Sequence, residues 1–248
     1  MKIHNILSVL SFVAIALLTS CEVDNYDEPD AGLSGVVTDA VTNKPLITEQ
    51  PNGYQIRYEE LSWSDKPQQE HFWGKADGTF RNTKMFPGKY LITLVNGPFV
   101  QPASQEVELK SNDIATANFT VTPYVSFSDV NIAKYGSGDS VRVTFTLHKN
   151  VPNSTINGYR IFATDQTPLV GINFSETKYS EVHYWEGGAE KVTGSNFFTL
   201  QEADLDKPIT ATLKGYISGK TYWIRIGAYC NESPSGRVNL TEVVELKF

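Results

Sequence analysis

The chain has 248 residues, with 21 Lys and Arg against 28 Asp and Glu, a formal net charge of −7. Residues 1–20 read as a removable segment, and five acids (Glu22, Asp24, Asp27, Glu28, Asp30) lie in one stretch without Lys or Arg, so residues 31–248 carry only −3. A near-neutral body with no basic run argues against nucleic-acid binding and against electrostatic docking on anionic lipid, and its length fits one large or two small domains.

Met1-Lys2-Ile3-His4-Asn5 is a short, weakly basic start, and residues 6–18 are an apolar run ending in Leu18-Thr19-Ser20-Cys21. That pattern predicts a secretory signal peptide over residues 1–20, too short to cross a bilayer as a helix. Leu18-Thr19-Ser20-Cys21 resembles a bacterial lipobox, which implies an acylated Cys21 as the first mature residue; the alternative is an ordinary signal peptide whose cleavage Cys21 merely follows. Residues 21–31 would then be the lipidated Cys and an acidic tether, too poor in apolar groups to fold. Extended at about 3.3 Å per residue, the tether reaches ~30 Å. An acidic stretch directly after a lipid-bearing Cys also resembles the export signal of Bacteroidetes surface lipoproteins, which implies a lipid anchor in the outer membrane, facing outward. With Cys21 acylated, only Cys230 remains, so no intrachain disulfide is available, and Cys230 at the end of an apparent strand reads as packing.

Beyond the tether the chain alternates in short segments between Gly, Pro, Asn and Asp clusters, with no useful helical period. Residues 32–39 give an opening strand closed by Thr42-Asn43-Lys44-Pro45. Tyr54, Ile56 and Tyr58 alternate with Gln55, Arg57 and Glu59, a strand with one face to a core. Asp77-Gly78, flanked by Phe72-Trp73 and Phe80, is a hairpin signal, and Pro87-Gly88 precedes a strand over 89–95. Residues 106–109 and 114–121 complete about seven strands, the last placing Ala115, Ala117, Phe119 and Val121 on one face. Gly35-Val36-Val37-Thr38-Asp39-Ala40, Asn43-Lys44-Pro45-Leu46, Asp77-Gly78-Thr79-Phe80 and Pro87-Gly88-Lys89-Tyr90 resemble carboxypeptidase-regulatory, transthyretin-like domains. That resemblance implies a β-sandwich over residues 32–122 acting as a scaffold or binding module, and no peptidase.

Pro123 marks a boundary, and the alternation restarts with Val141, Val143, Phe145 and Leu147 inward. Tyr222, Ile224, Ile226 and Ala228 share a face, and Tyr222 at the start of a strand fits a tyrosine corner. Residues 123–248 are therefore predicted as a fibronectin type III or immunoglobulin-like sandwich, with residues 179–194 (Tyr184-Trp185-Glu186-Gly187-Gly188 among them) longer and more aromatic than a minimal hairpin. The fold class is all-β, two sandwiches.

Three segments (residues 52–63, 77–88 and 96–99), together with Val121-Thr122-Pro123-Tyr124 at the junction, closely resemble a Bacteroidetes outer-membrane lipoprotein family of unknown function (domain of unknown function, number 3823), and the match runs to the C-terminus. The resemblance implies association with SusC/SusD-type importers, a barrel transporter with a lid lipoprotein, and supplies no catalytic residues.

Local chemistry is sparse. His71, His148 and His183 are far apart in sequence and none sits in a zinc-binding spacing. Gly215-Tyr216-Ile217-Ser218-Gly219-Lys220-Thr221 is one residue short of a phosphate loop and lacks a following helix. Asp204 and Asp206 could hold Ca²⁺ only with ligands from elsewhere, and a solvated acidic loop is the simpler reading. No metal or cofactor is expected. Asp139-Ser140-Val141 matches a short O-glycosylation signal of exported Bacteroidetes proteins. Aromatic side chains are the better lead, since flat rings with polar groups around them suit small-ligand sites. Among Trp63, Phe72, Trp73, Trp185 and Trp223, Trp63, in a turn, is the first candidate, with Gln55, Arg57 and Glu59 on the polar face of their strand as polar groups and Trp73 and Trp185 as further aromatic candidates. Against this, Arg57 and Glu59 could simply face water, and Trp73 and Trp223 could pack core or a domain joint.

The expected function is a non-enzymatic surface lipoprotein accessory to a SusC/SusD-type importer, holding oligosaccharide (or peptide) near the transporter. The alternative is an assembly component of that importer with no soluble ligand. A glycosidase ranks third, because carboxylates abound and nothing selects a pair.

Overall fold

The structure, a computed structural model, describes residues 27–136, 138–175, 182–186, 189–193 and 197–248, with the side chains of 182–198 and Ser235 left aside. Residues 1–26, with the expected signal segment and Cys21, lie outside the described residues.

The first group of strands is β1 (Ala31–Asp39), β2 (Gln55–Glu60), β3 (Gln69–Trp73), β4 (Thr79–Met85), β5 (Gly88–Val95), β6 (Phe99–Val100), β7 (Gln105–Leu109), β8 (Ile114–Thr116) and β9 (Phe119–Pro123). They form two sheets, β4-β1-β9-β6 with β8 also on β1, and β3-β2-β5-β7. Leu33, Phe80 and Phe119 from the first sheet meet Ile56, Ile92 and Leu94 from the second in one buried cluster. Fully burying each such side chain contributes roughly 1.5–3 kcal/mol, which is what holds a sandwich together without a disulfide.

Two local expectations change. The 114–121 run is two strands, because the Asn118 side-chain oxygen takes the Val36 N–H at 2.9 Å where a backbone rung would be. Ala117, Phe119 and Val121 nevertheless stay on the buried face. The Asp77-Gly78 turn is local, with Gly78 at φ 76° and the Asp77 carboxylate accepting from the Thr79 N–H and hydroxyl. It does not join a hairpin. β3 pairs with β2 and β4 with β1, so the turn carries the chain from one sheet to the other, driven by Phe72 and Phe80 both entering the shared core at a ring separation of 6.2 Å.

The second group is β10 (Val125–Tyr135), β11 (Ser140–Lys149), β12 (Ile156–Thr164), β13 (Val182–Glu186), β14 (Ala189–Thr193), β15 (Phe197–Thr199), β16 (Pro208–Lys214), β17 (Thr221–Cys230), β18 (Val238–Leu240) and β19 (Val244–Lys247). Sheet β10-β11-β16-β13-β14 faces sheet β15-β12-β17-β18, with β19 also on β17. Val141, Val143, Phe145 and Leu147 of β11 and Tyr222, Ile224, Ile226 and Ala228 of β17 form its core. Tyr222 makes the corner its position suggests: it is fully buried and its hydroxyl accepts the Ile217 N–H, five residues upstream, at 3.0 Å.

Only Tyr124 separates β9 from β10, and the sandwiches meet over a packed joint. Ile47 of the first packs with Phe162, Val170, Val238 and Leu240 of the second, and Trp223 joins them. The buried Asn239 side chain donates to the Pro98 carbonyl at 2.8 Å and accepts the Val125 N–H at 3.1 Å.

Candidate functional site

β2 is the centre of a three-row grid. Antiparallel partners share a sheet face, so the pairing of β2 with β3 and β5 puts Trp73, Gln55 and Val95 in one row, His71, Arg57 and Thr93 in the next, and Gln69, Glu59 and Leu91 in the third. Ile56 and Phe72 point the other way, into the core. Arg57 and Glu59 do not simply face water. Their side chains are 26% and 14% exposed and the Arg57 Nε lies 3.0 Å from a Glu59 oxygen. The angle at that contact is not one of a hydrogen bond, so the buried Nε–H lacks an acceptor among the described residues. Gln69 also donates to Glu59, at 3.4 Å.

Trp63 follows the third row. Leu61 N–H donates to the Lys89 carbonyl at 2.7 Å and Ser62 Oγ accepts the Lys89 N–H at 2.9 Å, which anchors the loop to the start of β5 and carries Trp63 outward, 83% exposed. Phe86, in the turn that leads into β5, is 50% exposed. At the opposite end, the first row belongs partly to the joint: Gln55 accepts from Asn96 at 2.7 Å, and the Arg237 guanidinium of the second sandwich lies 5.2 Å from the Trp73 ring centre. Trp73 is still 40% exposed. The structure thus brings Gln55, Arg57, Glu59 and Trp73 onto one face with Trp63 beyond its far end. Trp185 lies on β13, in a sheet of the other sandwich, and its side chain is outside the described residues. Trp223 is half-buried at the joint.

A feature invisible in the sequence lies between the sandwiches. Glu49 and Arg225 are each 3% exposed, on either side of Gly171, where an added Cβ would meet Glu49 Oε1 at 2.8 Å and Arg225 Nη2 at 3.0 Å. Glu49 accepts the Asn173 N–H at 3.0 Å, and Arg225 Nη1 donates to the Thr48 carbonyl at 3.4 Å. Burial lowers the Arg225 guanidinium to about 10, against the opposing pull of Glu49. Beside this pair a cleft of about 940 Å³ opens, walled by both sandwiches.

Of His71, His148 and His183, His148 acquires partners from distant parts of the sequence, while the side chain of His183 lies outside the described residues. His148 Nδ1 lies 2.6 Å from Asp206 Oδ1 and its Nε2 lies 2.8 Å from Ser128 Oγ. The spacing is that of a nucleophile relay, but the Ser128 hydroxyl donates to Asp129 at 2.8 Å. Its proton is therefore directed away from the ring, and the added carboxylate would oppose an oxyanion there. The arrangement pins the bulge of β10, where Asp129 has φ 53°.

Asp204 accepts the Gln201 N–H at 2.9 Å while Asp206 holds His148, so the two carboxylates serve different partners. No group of three or more His, Cys, Asp or Glu suited to a metal occurs among the described residues. β17 follows Gly219-Lys220 where a phosphate loop needs a helix. Ser140 is buried, with its hydroxyl donating to Asp139. Cys230 is buried, and burial, reinforced by its hydrogen bond to Glu232, pushes its thiol up to about 11, which leaves no thiolate for nucleophilic work at neutral pH.

Residues 31–122 match a family model described as the N-terminal domain of a protein of unknown function, DUF3823. Among solved structures, a DUF3823 family protein from Bacteroides uniformis superposes with a TM-score of 0.70 at 22% identity, over 89% of this chain and 100% of that one. A second Bacteroides uniformis protein, provisionally described as carbohydrate binding, gives 0.67 at 22% identity with the same coverage. A DUF3823 family protein from Bacteroides ovatus gives 0.63 at 18%, over 88% of this chain and 98% of that one. These likenesses establish the shared two-part β fold. No curated protein matches the chain significantly.

Proposed function

We propose that the chain, whose residues 31–122 match the DUF3823 N-terminal domain model, is a surface lipoprotein that binds glycan beside a SusC/SusD-type importer, without turning it over. The observation that carries this reading is Trp63, 83% exposed, at the end of a grid that carries the Arg57–Glu59 ion pair and the exposed side chains of Gln69 and His71. A ring free to stack on a sugar face beside donors and acceptors for its hydroxyls is the chemistry of a small-ligand site. The provisional description of one structural relative as carbohydrate binding supports the same class. The tether supplies the rest: a reach of ~30 Å keeps a weak site near the transporter, so that effective concentration replaces affinity.

The test is a glycan array, with a peptide pool alongside, probed with the soluble chain from residue 22 onward. Specific glycan retention that Trp63→Ala abolishes supports the reading, and a blank from folded protein overturns it. A second reading, an assembly component with no soluble ligand, is favoured by the exposure of two large aromatic residues, Trp63 and Phe86, since aromatic residues are enriched in protein interfaces. Co-purification of the transporter in the absence of glycan, lost in Trp63→Ala, would select it.

A further inference from the structure

The cleft between the sandwiches has a distinct chemistry. Arg225 lines it, 3% exposed, and its Nε–H has no acceptor among the described residues. A buried donor without a partner is costly unless something supplies an acceptor. Glu49 already opposes the charge of Arg225, so the group left to satisfy is an N–H, which a neutral oxygen can meet. Around it, Asp39, Asp77, Asp129 and Glu242 line the same cleft, with Lys44 the one other cation in its lining. Carboxylates accept from hydroxyl donors and repel anions. Hydroxyls both donate and accept from a single atom, so a polyhydroxylated, uncharged ligand answers the donor and the surrounding acceptors together. The volume, about 940 Å³, is within the range of small-ligand pockets.

We propose that this interdomain cleft is a second binding site, for a neutral oligosaccharide, separate from the Trp63 face. The proposal rests on the glycan-binding reading above and adds to it the place and the charge of a ligand. Both sandwiches wall the cleft, so binding there requires both.

The experiment uses the full chain in a detergent without sugar headgroups, titrated calorimetrically with short xylo-, manno- and malto-oligosaccharides, with oligogalacturonate, and with penta-lysine. Four proteins are compared: wild type, Trp63→Ala, Leu169→Trp and the double variant. Leu169 lines the cleft and is 43% exposed, so a larger ring there fills space without entering the core, and an unchanged melting temperature checks this. Neutral oligosaccharide binding that survives Trp63→Ala and then falls at least about tenfold on adding Leu169→Trp is the expected result. Glu242→Lys, a charge reversal at another exposed lining position, should weaken neutral ligands and admit oligogalacturonate. If Trp63→Ala alone removes all binding, or if Leu169→Trp and Glu242→Lys change nothing, the cleft proposal is overturned and the glycan reading stands. If penta-lysine or wild-type oligogalacturonate binding is what Leu169→Trp abolishes, the ligand class is wrong. If no oligosaccharide binds wild type, both fall.

Discussion

The guanidinium of Arg237 lies 5.2 Å from the ring centre of Trp73, one residue in each sandwich, and Arg237 Nε also donates to the Asn96 carbonyl at 3.4 Å. Such a contact is worth about 0.5–2 kcal/mol. The stronger tie in the same joint is Asn239, buried and bonded to Pro98 on one side and Val125 on the other. Asn239→Leu removes the acceptor of the Val125 N–H and leaves the Pro98 carbonyl only the Tyr124 N–H, at roughly 1–3 kcal/mol for the orphaned N–H, whereas Arg237→Ala should cost less. Urea unfolding followed by tryptophan fluorescence checks the order. Equal midpoints for Asn239→Leu and wild type would show that the joint contributes nothing.

Trp63 and Trp73 should separate ligand contact from stability. At 83% exposure, Trp63→Ala is expected to change stability by no more than about 0.5 kcal/mol. Trp73→Ala loses the Arg237 contact and should lower the melting temperature by several degrees, roughly 2–4 °C per kcal/mol for a chain of this size. A large loss in Trp63→Ala would place that ring in the core.

Glu49 and Arg225 form the least replaceable pair. Removing one partner of a buried acid-base pair leaves an uncompensated charge, typically at about 3–5 kcal/mol. Glu49→Gln is therefore expected to destabilise strongly, and Glu49→Gln combined with Arg225→Met to recover much of the loss. A denaturant series on the two single variants and the double tests this. Additive losses would show that the two residues do not interact.

Much of this fold is written in alternation. Tyr54, just before β2, Ile56 in it, the inward set of β11 and the inward set of β17 all bury the faces their period-2 patterns mark, because a one-residue slip would move each set into water. Trp63 is legible too, since a Trp among Ser, Asp, Lys and Pro has little to bury it. What pattern does not show is which strands pair. Asp77-Gly78 has hairpin chemistry, yet its flanking strands join different sheets, a choice made by core rings distant in sequence. The same holds for Glu49 with Arg225 and for Ser128 with His148 and Asp206. These are pairings of |i−j| from 20 upward, and a single sequence carries no local sign of them.

Alkaline pH should weaken the fold through Cys230. Its thiol is raised from 9.0 to about 11, by burial first and by the hydrogen bond to Glu232 second. The folded chain therefore keeps a proton that the unfolded chain releases. The associated stability is fully present below about pH 9 and is lost as pH rises through 11, the sign required when the native state binds more protons. Tyr90, raised by burial to about 12, extends the decline upward. Melting temperatures from pH 8 to 11 should thus fall steeply for wild type. Cys230→Ala should start lower, for the lost packing, and then fall less between pH 9 and 11. Parallel curves for the two proteins would show that the thiol titrates alike in both states and that the alkaline limb belongs to other groups.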